Sequence, residues 1–323
     1  MGAAAAPMLA RLMGLIAVTG SVALDTIMPF AGRFADHILM DQTHILNVSF
    51  LVDRPQTRHG GTAANISYTL ALLGERPLLC SAVGSDFGAY GAVLVSAGVD
   101  ISHALVRDDV ATAAAFITTD ADDNQITAFF PGAMAHAADV DLAALSGIEH
   151  VVVSPDAPDG MARHVLQAAE IGAKLVFAPA QQLSSMSDDI LNVGLDAAWL
   201  IVGNDYELEV IHRRTGRDVE SLAAGALVAR TRGGHGSELH VDGVAFEIPV
   251  AAATSLVAPT GAGDAYLAGL LAGLRGGRSP DVAGRMGALA ATWVVEVSGP
   301  QGHTYTEAQF AARYSEAFGE ALD

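Results

Sequence analysis

From Pro259 the chain reads Pro-Thr-Gly-Ala-Gly-Asp-Ala-Tyr, then runs into the apolar stretch Leu267-Ala268-Gly269-Leu270-Leu271-Ala272. Gly261 and Gly263 flank Ala262, so the backbone can turn sharply and meet a ligand with no side chain between them. The turn opens a helix, and the unpaired N–H groups and positive dipole end at its start attract an anion. Asp264 sets a carboxylate at the mouth of that anion hole. Ordinary N-capping also puts an acid near a helix start, but it does not require the Gly-Ala-Gly run. Together the parts suit phosphoryl transfer to a hydroxyl: the N–H groups hold developing charge while the carboxylate takes the proton.

Four other segments carry residue types that suit the same chemistry. Arg58-His59-Gly60-Gly61-Thr62-Ala63-Ala64-Asn65 opens a helix predicted to run through Leu73, with backbone N–H groups and the Asn65 amide available to ligand hydroxyls. Its plainer reading is a tight loop with a helix start. Gly20, Ser21 and Asp25 fall at the end of an apolar strand predicted over residues 15–22, where α/β proteins place ligand groups. Asn204 and Glu207, three apart, share a face of a helix's first turn, although N-capping alone would also put them there. Thr231-Arg232-Gly233-Gly234-His235-Gly236 is a glycine loop after another strand. The eleven histidines show no metal-ligand spacing, and neither a G-x-S-x-G elbow nor a G-x-G-x-x-G after the first strand is present.

These segments, in this order, resemble the signatures of the ribokinase-like carbohydrate and nucleoside kinases, the PfkB family. Gly261, Ala262, Gly263 and Asp264 match its D-T-x-G-A-G-D signature, which implies Asp264 as catalytic base and Gly261 to Gly263 as anion hole. The first signature implies that Gly60, Gly61 and Asn65 hold sugar hydroxyls, with Asp25 gripping two hydroxyls of the same sugar. The N-x-x-E motif implies that Asn204 and Glu207 order phosphate and water bound to Mg2+, and the T-x-G-x-x-G motif lays Thr231, Gly233 and Gly236, with Gly263, along ATP. One position departs: the family's leading acid, which in many members helps hold a monovalent cation, falls on Ala258. The resemblance therefore does not carry a potassium site across.

Within the family the likeness is nearest to the actinobacterial adenosine kinases. Its residues are Gly20-Ser21 with Asp25, Pro29-Phe30-x-Gly32-Arg33-Phe34, Val48-Ser49-Phe50-Leu51-Val52-Asp53, Phe130-Pro131-Gly132-Ala133-Met134, Gln181-Gln182-Leu183 and Asn204-Asp205-Tyr206-Glu207. The likeness implies a substrate site that includes Ser21 and Ser49, with Gln181, Gln182 and the ring of Phe116 or Phe129 on the base. The subgroup's own aromatic aligns with Ala115. The expected activity is ATP-dependent phosphorylation of a primary hydroxyl, adenosine to AMP first and a free sugar such as ribose second. A non-catalytic nucleoside or sugar sensor is the rival from another class. Ala258 keeps that rival open, while Asp264 and the Asn204/Glu207 pair weigh against it.

The elements that must position these groups alternate through the middle of the chain. Residues 151–153, 175–177, 199–202 and 226–229 read as strands, with helices at 160–171, 188–195, 205–214 and 219–224 between them. That rhythm predicts a mostly parallel sheet covered by helices on both faces, a three-layer α/β/α arrangement. A β-rich pair at 238–241 and 244–249 precedes helices at 263–275, 280–297 and 306–322. Residues 44–52, and a hairpin of 112–119 with 126–130, stand outside the rhythm. They are either an extra edge of the main sheet or a small separate sheet. The family resemblance favours the second, a β-sheet lid with strands drawn from about 26–56 and 112–131, through which two copies could pair.

Composition bounds the rest. The 323 residues, 51% of them hydrophobic, suffice for one large core or two smaller ones. Acids outnumber bases 36 to 17, a balance opposed to nucleic-acid binding. Cys80 is alone, so no intrachain disulfide can form, and cytoplasmic use fits best. The first residues could pass for a signal peptide, but reading 15–22 as a core strand leaves 1–14 as a flexible tail and 15–323 as the kinase domain. No apolar run is long enough to span a membrane.

Overall fold

Alternation within the central strands decides the layering. Ile16, Val18, Val152, Val176 and Leu200 join one hydrophobic cluster, while Ala17, Val151, Val153, Leu175, Phe177 and Ile201 join another. Because side chains alternate across a strand, these are the two faces of one sheet buried on both sides. The computed structural model describes residues 14–38, 47–122 and 124–322. Its first strands are β1 (Leu15–Thr19), β2 (Ala23–Pro29), β3 (Gln56–Gly60), β4 (Pro77–Leu79), β5 (Ala82–Gly84), β6 (Leu105–Arg107), β7 (Ala113–Thr119) and β8 (Gln125–Phe130). They are followed by β9 (Ile148–Val153), β10 (Lys174–Phe177), β11 (Ala198–Asn204), β12 (Leu227–Thr231), β13 (Ser237–Val241) and β14 (Val244–Ile248). The helices are α1 (Thr62–Leu72), α2 (Gly88–Ala97), α3 (Pro158–Glu170), α4 (Asp188–Ala197), α5 (Asp205–Thr215), α6 (Val219–Leu222), α7 (Ala262–Arg275), α8 (Pro280–Val295) and α9 (Glu307–Phe318).

The main sheet has eight strands in the order β14-β13-β12-β11-β10-β9-β1-β4, parallel from β4 to β12 and antiparallel beyond. Helices α1, α2, α7, α8 and α9 pack on one face through Leu70, Leu94, Leu271, Leu289 and Phe310. Helices α3, α4, α5 and α6 cover the other through Val165, Leu191, Ile211 and Leu222. This is the three-layer α/β/α architecture that the alternation predicts. No helix among the described residues is long and apolar enough to cross a membrane.

A second sheet of four strands, β3-β2-β7-β8, stands apart. Strand β2 pairs antiparallel with β3 and parallel with β7, which in turn pairs antiparallel with β8. Two expectations need correction here. Residues 15–22 are not one strand: the chain leaves the main sheet after Thr19, turns through Gly20, and enters the small sheet at Ala23. Nor do residues 44–52 form a strand. Residues 44–46 lie outside the described set, and Val52 makes only an isolated bridge to Phe30. The edge of the small sheet is instead Gln56-Thr57-Arg58-His59-Gly60, whose polar sequence carries no strand periodicity.

The chain passes between the small sheet and the body at four points. Gly20, Gly61 and Gly132 mark three of them, with φ of 141°, 92° and 49°. The fourth is Thr112, whose N–H and hydroxyl both donate to Asp86 Oδ1, at 2.8 and 2.6 Å. Most of the expected tail, residues 1–13, lies outside the described residues. Gly14, counted with that tail, is instead tied to the body, donating its N–H to the Glu149 carboxylate at 3.2 Å and accepting from Arg275 at 2.8 Å.

Helix α7, which begins at the glycine motif, packs closely against α8. A Cβ at Gly269 would stand 2.6 Å from the Met286 carbonyl oxygen and 2.8 Å from Gly287 Cα. Gly269→Ala therefore forces the two helices apart and should cost ~1–3 kcal/mol, as overpacking of a close interface does. Gly88→Ala has nothing within 4 Å of the new methyl, lies in a helix, and should leave stability unchanged or slightly higher. Urea midpoints of the two variants and the parent check the contrast.

Candidate active site

Asp264 lies in the first turn of α7, whose N-cap Gly261 has φ 86° and ψ −2°. Only glycine adopts this left-handed geometry without strain, and a Cβ here would also overlap Pro300. The turn is closed by Ala262 N–H donating to the Pro259 carbonyl at 3.2 Å, and Ala265 N–H returns to Gly261 O at 3.0 Å. This corrects one expectation: the Ala262 N–H is already engaged, whereas no backbone partner is found for the N–H groups of Gly261, Gly263 and Asp264 among the described residues. Those three remain to meet an anion.

Surrounding protein strips water from the Asp264 carboxyl and pushes its pKa up to about 7. A hydrogen bond from Asn65 Nδ2 to Asp264 Oδ2, 2.8 Å, opposes that rise, and the negative charge of Glu207 adds to it. Asn65 is in the first turn of α1, reached through Gly61, where a Cβ would lie 2.5 Å from the Ser21 carbonyl oxygen. Asp25 projects from β2 beside Gly60, where a Cβ would come within 2.6 Å of its Oδ2. Burial raises the Asp25 pKa, and the neighbouring Arg58 charge partly offsets this. Sequence-distant Asp25, Gly60, Gly61, Asn65 and Asp264 are thus brought into one neighbourhood.

Asn204 caps α5 in a reciprocal box: Glu207 N–H donates to Asn204 Oδ1 at 2.9 Å, and Asn204 N–H donates to Glu207 Oε2 at 2.8 Å. Asn204 Nδ2 reaches Glu207 Oε1 at 2.9 Å, and burial raises the Glu207 pKa. Both residues line a cleft with Thr231, Gly263 and Asp264. A neighbouring cleft of about 540 Å³ is walled by Gly233, Gly236, Ala251, Leu256, Ala288 and Val295, among others. Thr231 and Gly263 line both, so an acidic chamber at Asp264 runs on into an apolar one. Among the described residues no trio of acids, histidines or cysteines could hold a metal by itself.

Other expected residues fall less simply. Ser21 does not face the cleft freely: its Oγ accepts from the Thr62 N–H at 3.1 Å and holds the start of α1. Ser49 is exposed on the coil after the undescribed residues 39–46. Strand register separates the two candidate rings: Asp25 pairs with Ala115 and Ala115 with Phe129, whereas Phe116 pairs with Thr26 and Ala128. Phe129 therefore shares the Asp25 face, and Phe116 is carried to the opposite one. Gln181 and Gln182 sit on a short 3₁₀ turn, Ala180–Ser184, that begins at Ala180 with φ 42°, and Ala180 lines the Asp264 cleft.

Two residues at this site went unnoticed in the sequence. Gln301 Nε2 donates to Asn65 Oδ1 at 2.9 Å and to the Tyr90 hydroxyl at 2.5 Å. Tyr90 in turn donates to the Gly60 carbonyl at 2.8 Å, beneath the stacked ring of His59. Neither lies in a glycine motif. The only sequence signal is for Gln301, the turn-forming Gly-Pro-Gln-Gly at Gly299 to Gly302.

Comparisons with known proteins bear on the family and the fold. A family model described as pfkB family carbohydrate kinase matches residues 24–307. The nucleoside kinase of Methanothermobacter thermautotrophicus is 31% identical over 291 residues, covering 88% of this chain and 94% of the relative. The solved nucleoside kinase of Burkholderia thailandensis in complex with inosine superposes with a TM-score of 0.86 at 34% identity, over 95% of this chain and 99% of that one. The Methanocaldococcus jannaschii nucleoside kinase, described as an archaeal member of the ribokinase family, superposes with a TM-score of 0.85 at 27% identity, over 94% and 99%.

A carboxyl with a raised folded pKa weakens the fold at pH above that value and ceases to do so below its unfolded pKa. Asp264→Asn should therefore stabilise the protein by about 1–3 kcal/mol at pH 8 and progressively less as pH falls towards 4. Denaturant midpoints of parent and variant across that range check the sign.

Proposed function

The chain belongs to the pfkB family of carbohydrate kinases, and on that premise we propose that it moves the terminal phosphoryl group of ATP to the 5′-hydroxyl of a ribonucleoside, adenosine first. The fold is the ribokinase fold, and the enzyme is an ATP-dependent kinase with an alcohol group as acceptor. One observation carries the nucleoside reading furthest. The raised carboxyl of Asp264 stands at a helix N-terminus and accepts a hydrogen bond from Asn65 Nδ2, whose helix starts at Gly61 next to the Asp25 strand.

In this reading Asp25, Gly61 and Asn65 hold the ribose, and Asp264 takes the proton of the 5′-hydroxyl as it attacks. With a pKa of about 7 the base is ionised in a useful fraction of molecules yet basic enough to accept a proton. The N–H groups of Gly261, Gly263 and Asp264 meet the transferring phosphoryl, and the apolar cleft beyond Thr231 and Gly263 takes the adenine of ATP. Magnesium, held through water by Glu207, would neutralise phosphate charge.

For the acceptor's base, Gln182 and Gln181 offer amides that both donate and accept, and Phe129 offers a ring on the Asp25 face. The Burkholderia thailandensis relative was also solved with ADP-inosine, which supports a purine acceptor. The opposite face of that sheet carries Phe116, Ile126 and Phe130, each 44% exposed, and supports pairing with a second copy. A free sugar as acceptor remains the second reading.

A coupled ADP-release assay over purine nucleosides, pyrimidine nucleosides and ribose decides the acceptor. Adenosine should turn over best, and ribose as the better substrate would move the assignment to a sugar kinase. Asp264→Asn should keep nucleoside binding while turnover drops by ~10²–10⁴. In the parent, turnover should fall as pH drops through about 7, where the base becomes protonated.

Ala258 offers no side-chain oxygen, and its backbone N–H lies 3.3 Å from the Val295 carbonyl. Exchanging potassium for a large organic cation at constant ionic strength should therefore change magnesium-supported activity by less than about twofold. Strong activation by potassium would show that backbone carbonyls suffice to hold a cation.

A further inference from the structure

Five groups between the small sheet and α7 form a chain of hydrogen bonds whose direction is set at one end. Gly60 contributes a backbone carbonyl, which can only accept. The Tyr90 hydroxyl meets it at 2.8 Å and must spend its single proton there. Its oxygen can then only accept from Gln301, 2.5 Å away, so Gln301 presents nitrogen. The same Nε2 also faces Asn65 at 2.9 Å, so Asn65 must present Oδ1 to it. That turns Asn65 Nδ2 towards Asp264, 2.8 Å away, where the partner must be a carboxylate oxygen.

The arrangement leaves Gln301 Oε1 buried and without a partner among the described residues. A buried acceptor left unpaired is costly. Rotating the amide by half a turn would bring Oε1 against two oxygens already committed as acceptors, so the unpaired oxygen follows from holding the chain in this sense. Gln301 comes from the loop after α8, remote in sequence from every glycine motif of the site.

We propose that Gln301 is a positioning residue for phosphoryl transfer: it fixes the Asn65 amide in the one orientation that donates to Asp264 and so keeps Asp264 an ionised acceptor. This rests on the reading of Asp264 as the base. Gln301 touches neither the base nor any phosphate-binding N–H, and it acts only through Asn65. Other charged groups facing the site are Glu207 from α5 and Asp25 and Arg58 from the small sheet. Tyr90 comes from α2, and His303, two residues beyond Gln301, is engaged with Thr69 at 3.3 Å. Of these only Tyr90 is touched by Gln301, so the Asn65→Ala background is what separates the Asn65 contact from the Tyr90 one.

Two variants test the inference. Gln301→Met keeps the side-chain stem and removes the donor. Gln301→Glu supplies only acceptors and would draw Asn65 Nδ2 away from Asp264. The Asn65 hydrogen bond lowers the Asp264 pKa, so losing it must raise that pKa. The Asp264 carboxyl is titrated by 13C NMR in aspartate-labelled protein, its resonance identified by its loss in Asp264→Asn. The midpoint should rise by about one pH unit in Gln301→Met and further in Gln301→Glu. The acid limb of turnover should move by the same amount, so activity lost at pH 7 returns at pH 9. In Asn65→Ala the added Gln301→Met change should produce no further shift.

An unchanged Asp264 midpoint in folded Gln301→Met, with only a lower unfolding temperature, would reduce Gln301 to a packing residue and overturn the proposal. A further shift in the Asn65→Ala background would overturn it too, by showing direct action. If the parent released no ADP with any nucleoside or sugar, the proposed function would fall, while the carboxyl titration would still decide the role of Gln301.

Discussion

Dehydrating a carboxylate is expensive, and the site is arranged around doing so at one place. Asp264 is partly buried at the start of α7, in a cleft where the helix dipole and free N–H groups partly compensate the charge. That position exists only because Gly261 turns left-handed and because α7 is locked to α8 through glycine-to-backbone contact. Were either relaxed, the first turn would shift and water would return to the carboxyl. The same surroundings that raise the Asp264 pKa, and would suit it to the proposed role of base, make it a liability to the fold, a trade often met at catalytic residues.

The two sheets divide the remaining work. The main sheet brings the groups we assign to phosphate from the carboxyl ends of its strands: Asn204 ends β11, and Thr231 ends β12. The small sheet brings the groups we assign to the acceptor hydroxyls, with Asp25 in β2 and Gly60 at the end of β3. In the proposed reaction, donor and acceptor would approach Asp264 from opposite walls, with the transferring group passing between them. Water must be kept from that space, because a free water molecule would otherwise compete with the acceptor hydroxyl.

Much of this was legible in the sequence, and the gaps have physical causes. Strands β9, β10, β11 and β12 are apolar because both faces of the main sheet are buried, so a run of valine and leucine sufficed to find them. The glycine motifs were visible because close backbone approach admits few other residues. Strand β3 was missed because Gln56-Thr57-Arg58-His59 lies at a sheet edge, where no alternation is imposed. The difference between Phe116 and Phe129 depends on register, which composition does not reveal. Gln301 and Tyr90 were missed because their roles arise from hydrogen-bond direction across long sequence separations, and neither residue type is distinctive alone.

The four crossings between the small sheet and the body also set how the molecule comes apart. Because β2 pairs in parallel with β7, ninety residues further along the chain, no single hairpin can peel away alone. At Gly61 the crossing backbone is wedged against Ser21 and Ala23, and at Thr112 it is clamped by Asp86. The strands of the small sheet therefore form one cooperative unit, opening together at a lower free energy than the eight-stranded core. Amide exchange along β2, β3, β7 and β8 then reports a shared sub-global opening, distinct from the slower exchange of β9 to β12.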